Sequence, residues 1–435
     1  MTNPPGFARV LERTRIPIRV GYVAVLFLAT LSWFRIDADA QAVARRLQRM
    51  LDPSVSARDA IDGARNVLLF AGWGLVWMVT AAPGSTWVAL RNAVATGAAL
   101  SLLVEGLQLF SDSRTASVLD LATNTGGTVL GALALVAMVL ALSSRRDRKS
   151  FVGVPAAIFA VSCTLALAGE ALVPLYRQDL APWATGGPLQ RLSMALQGLR
   201  WSGAGAWPLG DLLLFLPGGA FAVAALGEAG LPYRRAAAAA TGGGALLFTL
   251  AEIAHGALGM EILGGAAVVH ATAFGAGALL GAWGLPAFTR SVRGVHRPRI
   301  LLGGYAAWCL VWALRPYALE SSLGAVAGKL ATEWWIPLRF LGSRVDTFSV
   351  VDVVGGFFLF LPLGGLLAVW PLRLRGGLAV FLPALWFAAL LEVSQTLVLT
   401  RTLDITDFLV QAAGAVIGWT MVRRAGFRPY GEQLP

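Results

Sequence analysis

Three nine-residue segments of this 435-residue chain, NVLLFAGWG from Asn66, DLLLFLPGG from Asp211 and GFFLFLPLG from Gly356, begin 145 residues apart in both intervals. Phe70, Phe215 and Phe360 align, as do Gly74, Gly219 and Gly364, and Pro217 and Pro362 stand opposite Gly72. Self-similarity at a fixed interval marks tandem structural units. Whatever one copy folds into, the chain contains it three times. A second pattern repeats with the first. Glu105, Gln108, Arg114, Ser117, Asp120, Asn124, Gly127 and Gly131 recur at identical spacings as Glu392, Gln395, Arg401, Asp404, Asp407, Gln411, Gly414 and Gly418. In the middle copy Glu252 and His255 hold the first two places. The register then slips by three residues, and His270, Phe274, Gly277 and Gly281 stand where Asp, Asn and the two Gly would be.

The copies are made mostly of apolar residues. The chain is 57% hydrophobic and 14% charged, against about 45–50% and about 25% for a soluble domain. Runs such as Val20–Phe34, Trp87–Val104, Val129–Leu142, Ala236–Leu250 and Gly377–Leu391 approach the ~20 residues that cross a bilayer core as a helix. Each copy holds four such runs, at roughly 20–36, 66–82, 90–109 and 119–142 in the first. Between the first two runs lie AVARRLQRML, PLQRLSMALQGLRW and LGAVAGKLATEWWIPL. These read as amphipathic helices lying in the membrane interface, with Trp201, Trp334 and Trp335 at headgroup depth.

The expected fold is therefore all-α. It is a polytopic transmembrane helical protein of about twelve spans, in three parallel four-helix repeats with interfacial amphipathic helices. The repeats cover 1–150, 151–297 and 298–435. Cys163 and Cys309 each lie inside an apolar run with no metal-ligand spacing and read as packing residues. Nothing in the sequence calls for a cofactor or a bound metal.

The net charge of +11 would suggest nucleic acid in a soluble protein, but here it reports topology. With the N-terminus placed in the cytoplasm, the inner segments hold 20 Lys and Arg against 4 Asp and Glu, and the outer ones 15 against 20. The positive-inside rule favours that orientation, with both termini cytoplasmic in a multi-pass protein of a bacterial inner membrane. Arg9, Arg13, Arg15 and Arg19 before an apolar run, with Ala38-Asp39-Ala40 behind it, imitate a signal peptide. The first run has counterparts in the later copies, which argues for its retention as a span.

The polar motif then converges at the outer end of spans three and four. Glu105 and Gln108, at i and i+3, share one helix face, and Arg114 lies in the short loop that follows. Asp120, Asn124, Gly127 and Gly131 fall on one stripe of span four, where the G-x-x-x-G pair admits another helix closely. Asn66, or Asp62 just before it, enters from span two. The third copy repeats this with Glu392, Gln395, Arg401, Asp404, Asp407 and Gln411, and Asp352 is its span-two contribution. Ionisable groups at a bilayer are costly and normally pair. One reading is a lock that fastens four helices; the other is a ligand site, since a lock needs only one pair.

The pattern N-x3-F-x-P-x-G, then E-x2-Q, then R-x5-D-x3-N-x2-G-x3-G resembles the VanZ-like membrane proteins. It covers copies one and three most fully. Gly72 replaces the family's Pro, and Gly356 and Gln411 replace its Asn. The family is named for a protein linked to low-level teicoplanin resistance, so the resemblance implies a role at the cell envelope and supplies no reaction. Three functions are consistent with the residues. A binding module would hold a lipid-linked cell-wall precursor or a glycopeptide, with Arg114 and Arg401 on phosphate or carboxylate. A membrane enzyme would use Glu105 and Asp120 as acid and base, though the sequence carries no nucleophile motif. A transporter would use the parallel repeats and the helix-breaking Pro217 and Pro362. In the middle copy Glu252, His255, Glu261 and His270 are metal-ligand residue types, which read here as divergence of the repeat. His296 sits in a basic loop and reads as solvated. The remaining contact is with the lipid bilayer.

Overall fold

Long apolar runs separated by short polar connectors become helices joined by brief turns. The computed structural model describes residues 5–31, 36–50, 57–81, 85–112, 116–143, 153–172, 186–202, 206–315, 317–331, 347–370, 377–399, 401 and 403–427. Among these residues the regular elements are helices, and β-pairing is confined to three isolated bridges. The chain divides into two compact units, one holding Met1–Ser144 and the other Arg145–Ile336, Asp346–Arg373 and Leu378–Pro435.

The first unit contains α1 (Pro5–Leu31), the short α2 (Ala40–Met50), α3 (Ala57–Thr80), α4 (Thr86–Gln108) and α5 (Val118–Ser143). The second contains the same order twice. It begins with α6 (Ala156–Leu172), α7 (Pro188–Gln197), α8 (Leu212–Glu228), α9 (Tyr233–Leu258) and α10 (Gly264–Ser291). It continues with α11 (Arg297–Ala313), α12 (Leu323–Leu330), α13 (Thr347–Val369), α14 (Gly377–Gln395) and α15 (Ile405–Arg424). Six of these helices are long and apolar enough to cross a membrane by length and composition, and four more contain shorter apolar segments. Trp334 and Trp335 lie outside the described residues.

In every copy the most extensive helix pair is span two against span four: α3 with α5, α8 with α10, and α13 with α15. Glycines explain the closeness. A Cβ at Gly74 would come within 3.0 Å of the Thr128 carbonyl oxygen, and Cβ atoms at Gly127 and Gly131 would strike the carbonyls of Val67 and Ala71. Gly219, Gly277, Gly364, Gly414 and Gly418 meet backbone atoms of their partner helices in the same way. Two backbones at this distance leave no room for side chains between them, which is how helices gain contact in lipid. Phe70, Phe215 and Phe360 are each wholly buried, filling the space beside the glycine seam. In the first unit Phe70 forms a core with Leu26 and Trp73.

Span one is pinned to span two through a carbonyl. Tyr22 donates to the Leu69 carbonyl at 2.7 Å, and Tyr305 donates to that of Leu359 at 2.7 Å. Both acceptors directly precede a motif phenylalanine. A Cβ at Gly72 would collide with the Tyr22 hydroxyl, so the missing side chain there makes room for the tyrosine. Pro217 and Pro362 lie inside continuous helices, where each removes one backbone donor.

The short helices are tied down as well. Ile36 bridges Ser111, and Leu319 bridges Val398. From α2, Arg46 donates to the Leu109 carbonyl at 3.2 Å; from α12, Lys329 donates to that of Thr396 at 3.3 Å. Arg46 also pairs with Asp37, and that hydrogen bond holds the Asp37 carboxyl below the usual carboxylate range.

Within the second unit, the two copies interlock through spans one and two. Helix α6 packs against both α8 and α13. Phe159 stacks on Phe221 at 5.0 Å and meets Tyr305 edge-on at 5.6 Å. Trp308 of α11 donates to the Leu214 carbonyl of α8 at 3.0 Å. Arg315, just beyond α11, pairs with Glu170 of α6, and both are buried.

Candidate functional site

A helix that begins at a membrane surface exposes several unpaired N–H groups at its positive end. The motif acid of span three answers this need. Glu105 Oε2 accepts the Ser117 N–H at 2.9 Å, at the entry to α5. In the middle copy Glu252 Oε2 accepts the Leu263 N–H at 2.9 Å, at the entry to α10. Glu105 and Glu252 are buried, at 2% and 3% exposure, so the acid of span three is enclosed where the next helix starts.

The first copy joins its helices further along the same layer. Asn66 of α3 donates to Asp120 Oδ1 of α5 at 2.8 Å. Asn124 of α5 donates to Ser101 Oγ of α4 at 2.9 Å. Gln108 donates to the Thr30 carbonyl of α1 at 3.1 Å. The five expected first-copy residues described here thus divide into separate links between neighbouring helices. Arg114 lies outside the described residues. Ser101, Ser117 and Thr30 complete the layer, and sequence reading missed the first and last. Serine and threonine on an apolar helix carry no spacing signal of their own.

The middle copy keeps the link between spans two and four with exchanged chemistry. Asp211 occupies the Asn66 position, and His270 stands where Asp120 would be. Their side chains meet at 3.0 Å between His270 Nε2 and Asp211 Oδ2. The acid has moved to span two and its partner to span four. Phe215 stacks flat on the imidazole at 4.0 Å, and His270 is 1% exposed. Nearby, His255 Nδ1 lies 3.1 Å from Glu252 Oε2. No three His, Cys, Asp or Glu side chains come together as metal ligands among the described residues. Leucine at position 270 would retain apolar contact with Phe215 but leave Asp211 without its imidazole. His270→Leu should therefore cost about 1–3 kcal/mol more than His270→Asn, read by denaturant titration in micelles. Equal losses would mean that the hydrogen bond contributes nothing.

The third copy differs again. Gln411 Nε2 donates to Glu392 Oε1 at 2.8 Å, linking α15 to α14. Asp404 caps α15 by accepting the Thr406 N–H at 2.8 Å. Gln395, Arg401, Asp407 and Gln411 line a cavity with Trp312, Gly356, Leu359 and Leu391, of which about 20 Å³ is open to water. Gln395 and Gln411 are 6% and 5% exposed, and the Oε1 atom of each has no hydrogen-bond partner among the described residues. Asp352 lies on α13, with its side chain outside the described residues. The structure therefore brings four expected third-copy residues to one cavity. Glu392 is joined to it through Gln411, and Asp404 serves the helix end.

Long apolar helices joined by buried polar links define a polytopic helical membrane protein. The family model VanZ/LLP1 matches residues 20–142 and 304–426, more than half of the chain, and the chain belongs to that family. The matched segments are the first and third copies, on either side of the copy whose motif has diverged. No curated protein matches the chain, and no solved structure does.

Proposed function

We propose that this VanZ-family protein is a binding module of the cell envelope, holding the polar head of a lipid-linked or cell-wall-related ligand. The cavity of the third copy carries this reading. Four motif residues line it, and two of them present buried oxygens with no partner among the described residues. Native structures hold few such groups, and a ligand that donates hydrogen bonds accounts for both. The apolar wall formed by Trp312, Leu359 and Leu391 suits the non-polar part of a membrane-borne molecule. The charge distribution supports an orientation with both termini in the cytoplasm, placing the polar layers of three parallel repeats at the outer surface of the bacterial inner membrane. A lipid-linked cell-wall precursor or a glycopeptide meets the protein there, which would connect it to teicoplanin-type susceptibility.

The test is a native mass-spectrometry survey of lipids and cell-wall precursors that co-purify with wild type and with the Arg114→Ala/Arg401→Ala double variant. A specific lipid-linked species should be retained by wild type and lost, by tenfold or more, in the variant. Identical profiles from two equally folded proteins would reduce the polar layer to a helix-packing lock.

A further inference from the structure

We propose that the corner between α10 and α11 binds the phosphate of an anionic phospholipid, at the end of the second unit opposite its polar layer. Arg290 lies in the last turn of α10, Arg293 in the connection and Arg299 in the first turn of α11. Arg297 folds the corner together. Its Nε donates to the Val292 carbonyl at 2.9 Å, and a terminal nitrogen donates to that of Thr289. That guanidinium is committed to carbonyls at the end of α10, which have no partner within the helix. Arg290, Arg293 and Arg299 are exposed and enter no ion pair among the described residues. No acidic residue stands between Glu261 and Glu320. Glu228, the acid at the neighbouring end of α8, accepts the Ala156 N–H at 2.7 Å. The corner therefore presents several cations with little to offset them, and such a patch attracts anions.

Depth and direction favour a lipid over a free anion. Along α10, the rise from His270 to Arg290 is about 30 Å, the thickness of a hydrocarbon core. Arg290 thus stands at the membrane surface opposite the Asp211–His270 pair. Its Nε donates to the Pro286 carbonyl at 3.1 Å, which lays the side chain back along the helix. Its terminal nitrogens make no other bond among the described residues. Trp283 precedes Arg290 by two helical turns on the same face and is 79% exposed; Leu279, one turn further, is 64% exposed. This face changes from apolar to basic within about 10 Å, matching the passage from acyl chain to phosphate in a phospholipid. On α11, exposed Ile300 follows Arg299, and the Arg299 guanidinium lies 5.9 Å from the Trp370 ring centre, within range of a cation–π contact. Guanidinium forks pair well with phosphate oxygens, and basic sites beside membrane helices suit anionic headgroups.

The experiment offers the full chain, in detergent micelles, phosphatidylglycerol and phosphatidylcholine of equal chain length. The choline lipid carries the same phosphate with its charge offset by an ammonium. Native mass spectrometry should show the glycerol lipid retained better by about fivefold or more. Arg290→Gln/Arg293→Gln/Arg299→Gln should abolish that preference and leave the denaturation midpoint unchanged, because only exposed side chains are replaced. Arg290→Lys/Arg293→Lys/Arg299→Lys keeps the charge and should keep part of the preference. Equal retention of the two lipids by wild type, or a preference that survives the glutamine variant, would overturn the proposal and leave the arginines as topology signals. A lysine variant as indifferent as the glutamine one would point to damage at the corner and would overturn it too. A preference lost instead on Arg401→Ala would move the lipid to the third-copy cavity, against the proposal. Displacement of the lipid by inorganic phosphate at constant ionic strength would replace the lipid with a free anion and likewise reject it.

Discussion

Arg315→Met should destabilise the protein by about 3–5 kcal/mol, while Glu170→Met/Arg315→Met should recover most of that loss. Arg315 is 3% exposed and Glu170 6%. They pair between α6 and the end of α11, where no water replaces a lost partner. Removing the guanidinium leaves a carboxylate buried without its countercharge, and that cost exceeds the net worth of the pair. Removing both leaves two apolar side chains and no buried charge without its partner. Tryptophan fluorescence during denaturation in mixed micelles measures the three variants against wild type. A single substitution no worse than the double would show that the pair is not enclosed as described.

The second large effect separates two adjacent residues. Gly127→Ala should cost about 1–3 kcal/mol, because an inserted methyl forces the packed helices apart. Gly126→Ala should be neutral or stabilising by up to about 1 kcal/mol, the ordinary gain of alanine over glycine in a helix. A Cβ at Gly127 strikes the Val67 carbonyl, whereas one at Gly126 meets nothing within 4 Å. The same denaturation measurement compares them. Equal effects would mean that α3 and α5 do not approach through this seam.

Much of this architecture was legible in the sequence. The repeated FxxxG segments and the G-x-x-x-G pairs marked the two helices that pack most closely in each copy. The motif acids and amides marked the polar layer. What spacing could not provide was the pairing across helices. Tyr22 and Tyr305 do the same work, yet they lie 283 residues apart while Phe70 and Phe360 lie 290 apart. The connectors between spans one and two differ in length, so a fixed interval hides the correspondence. Thr30 enters through its carbonyl and Ser101 through a lone hydroxyl, neither visible as a pattern. In the middle copy the motif letters change while a polar link between spans two and four remains. Asp211 and His270 preserve a relation between helices, which comparison of single positions does not detect.

The bond from Trp308 to the Leu214 carbonyl has a consequence for synthesis. Its two residues are 94 positions apart, and at about 5–20 residues per second the donor emerges on the order of 5–20 seconds after the acceptor. Glu170 waits longer still for Arg315. The middle repeat is thus made before the side chains that complete it exist, and a nascent chain halted near residue 300 holds an acid and a carbonyl whose final partners have not been translated. The first span of the last repeat arrives as a clasp, so the order of translation becomes an order of closure.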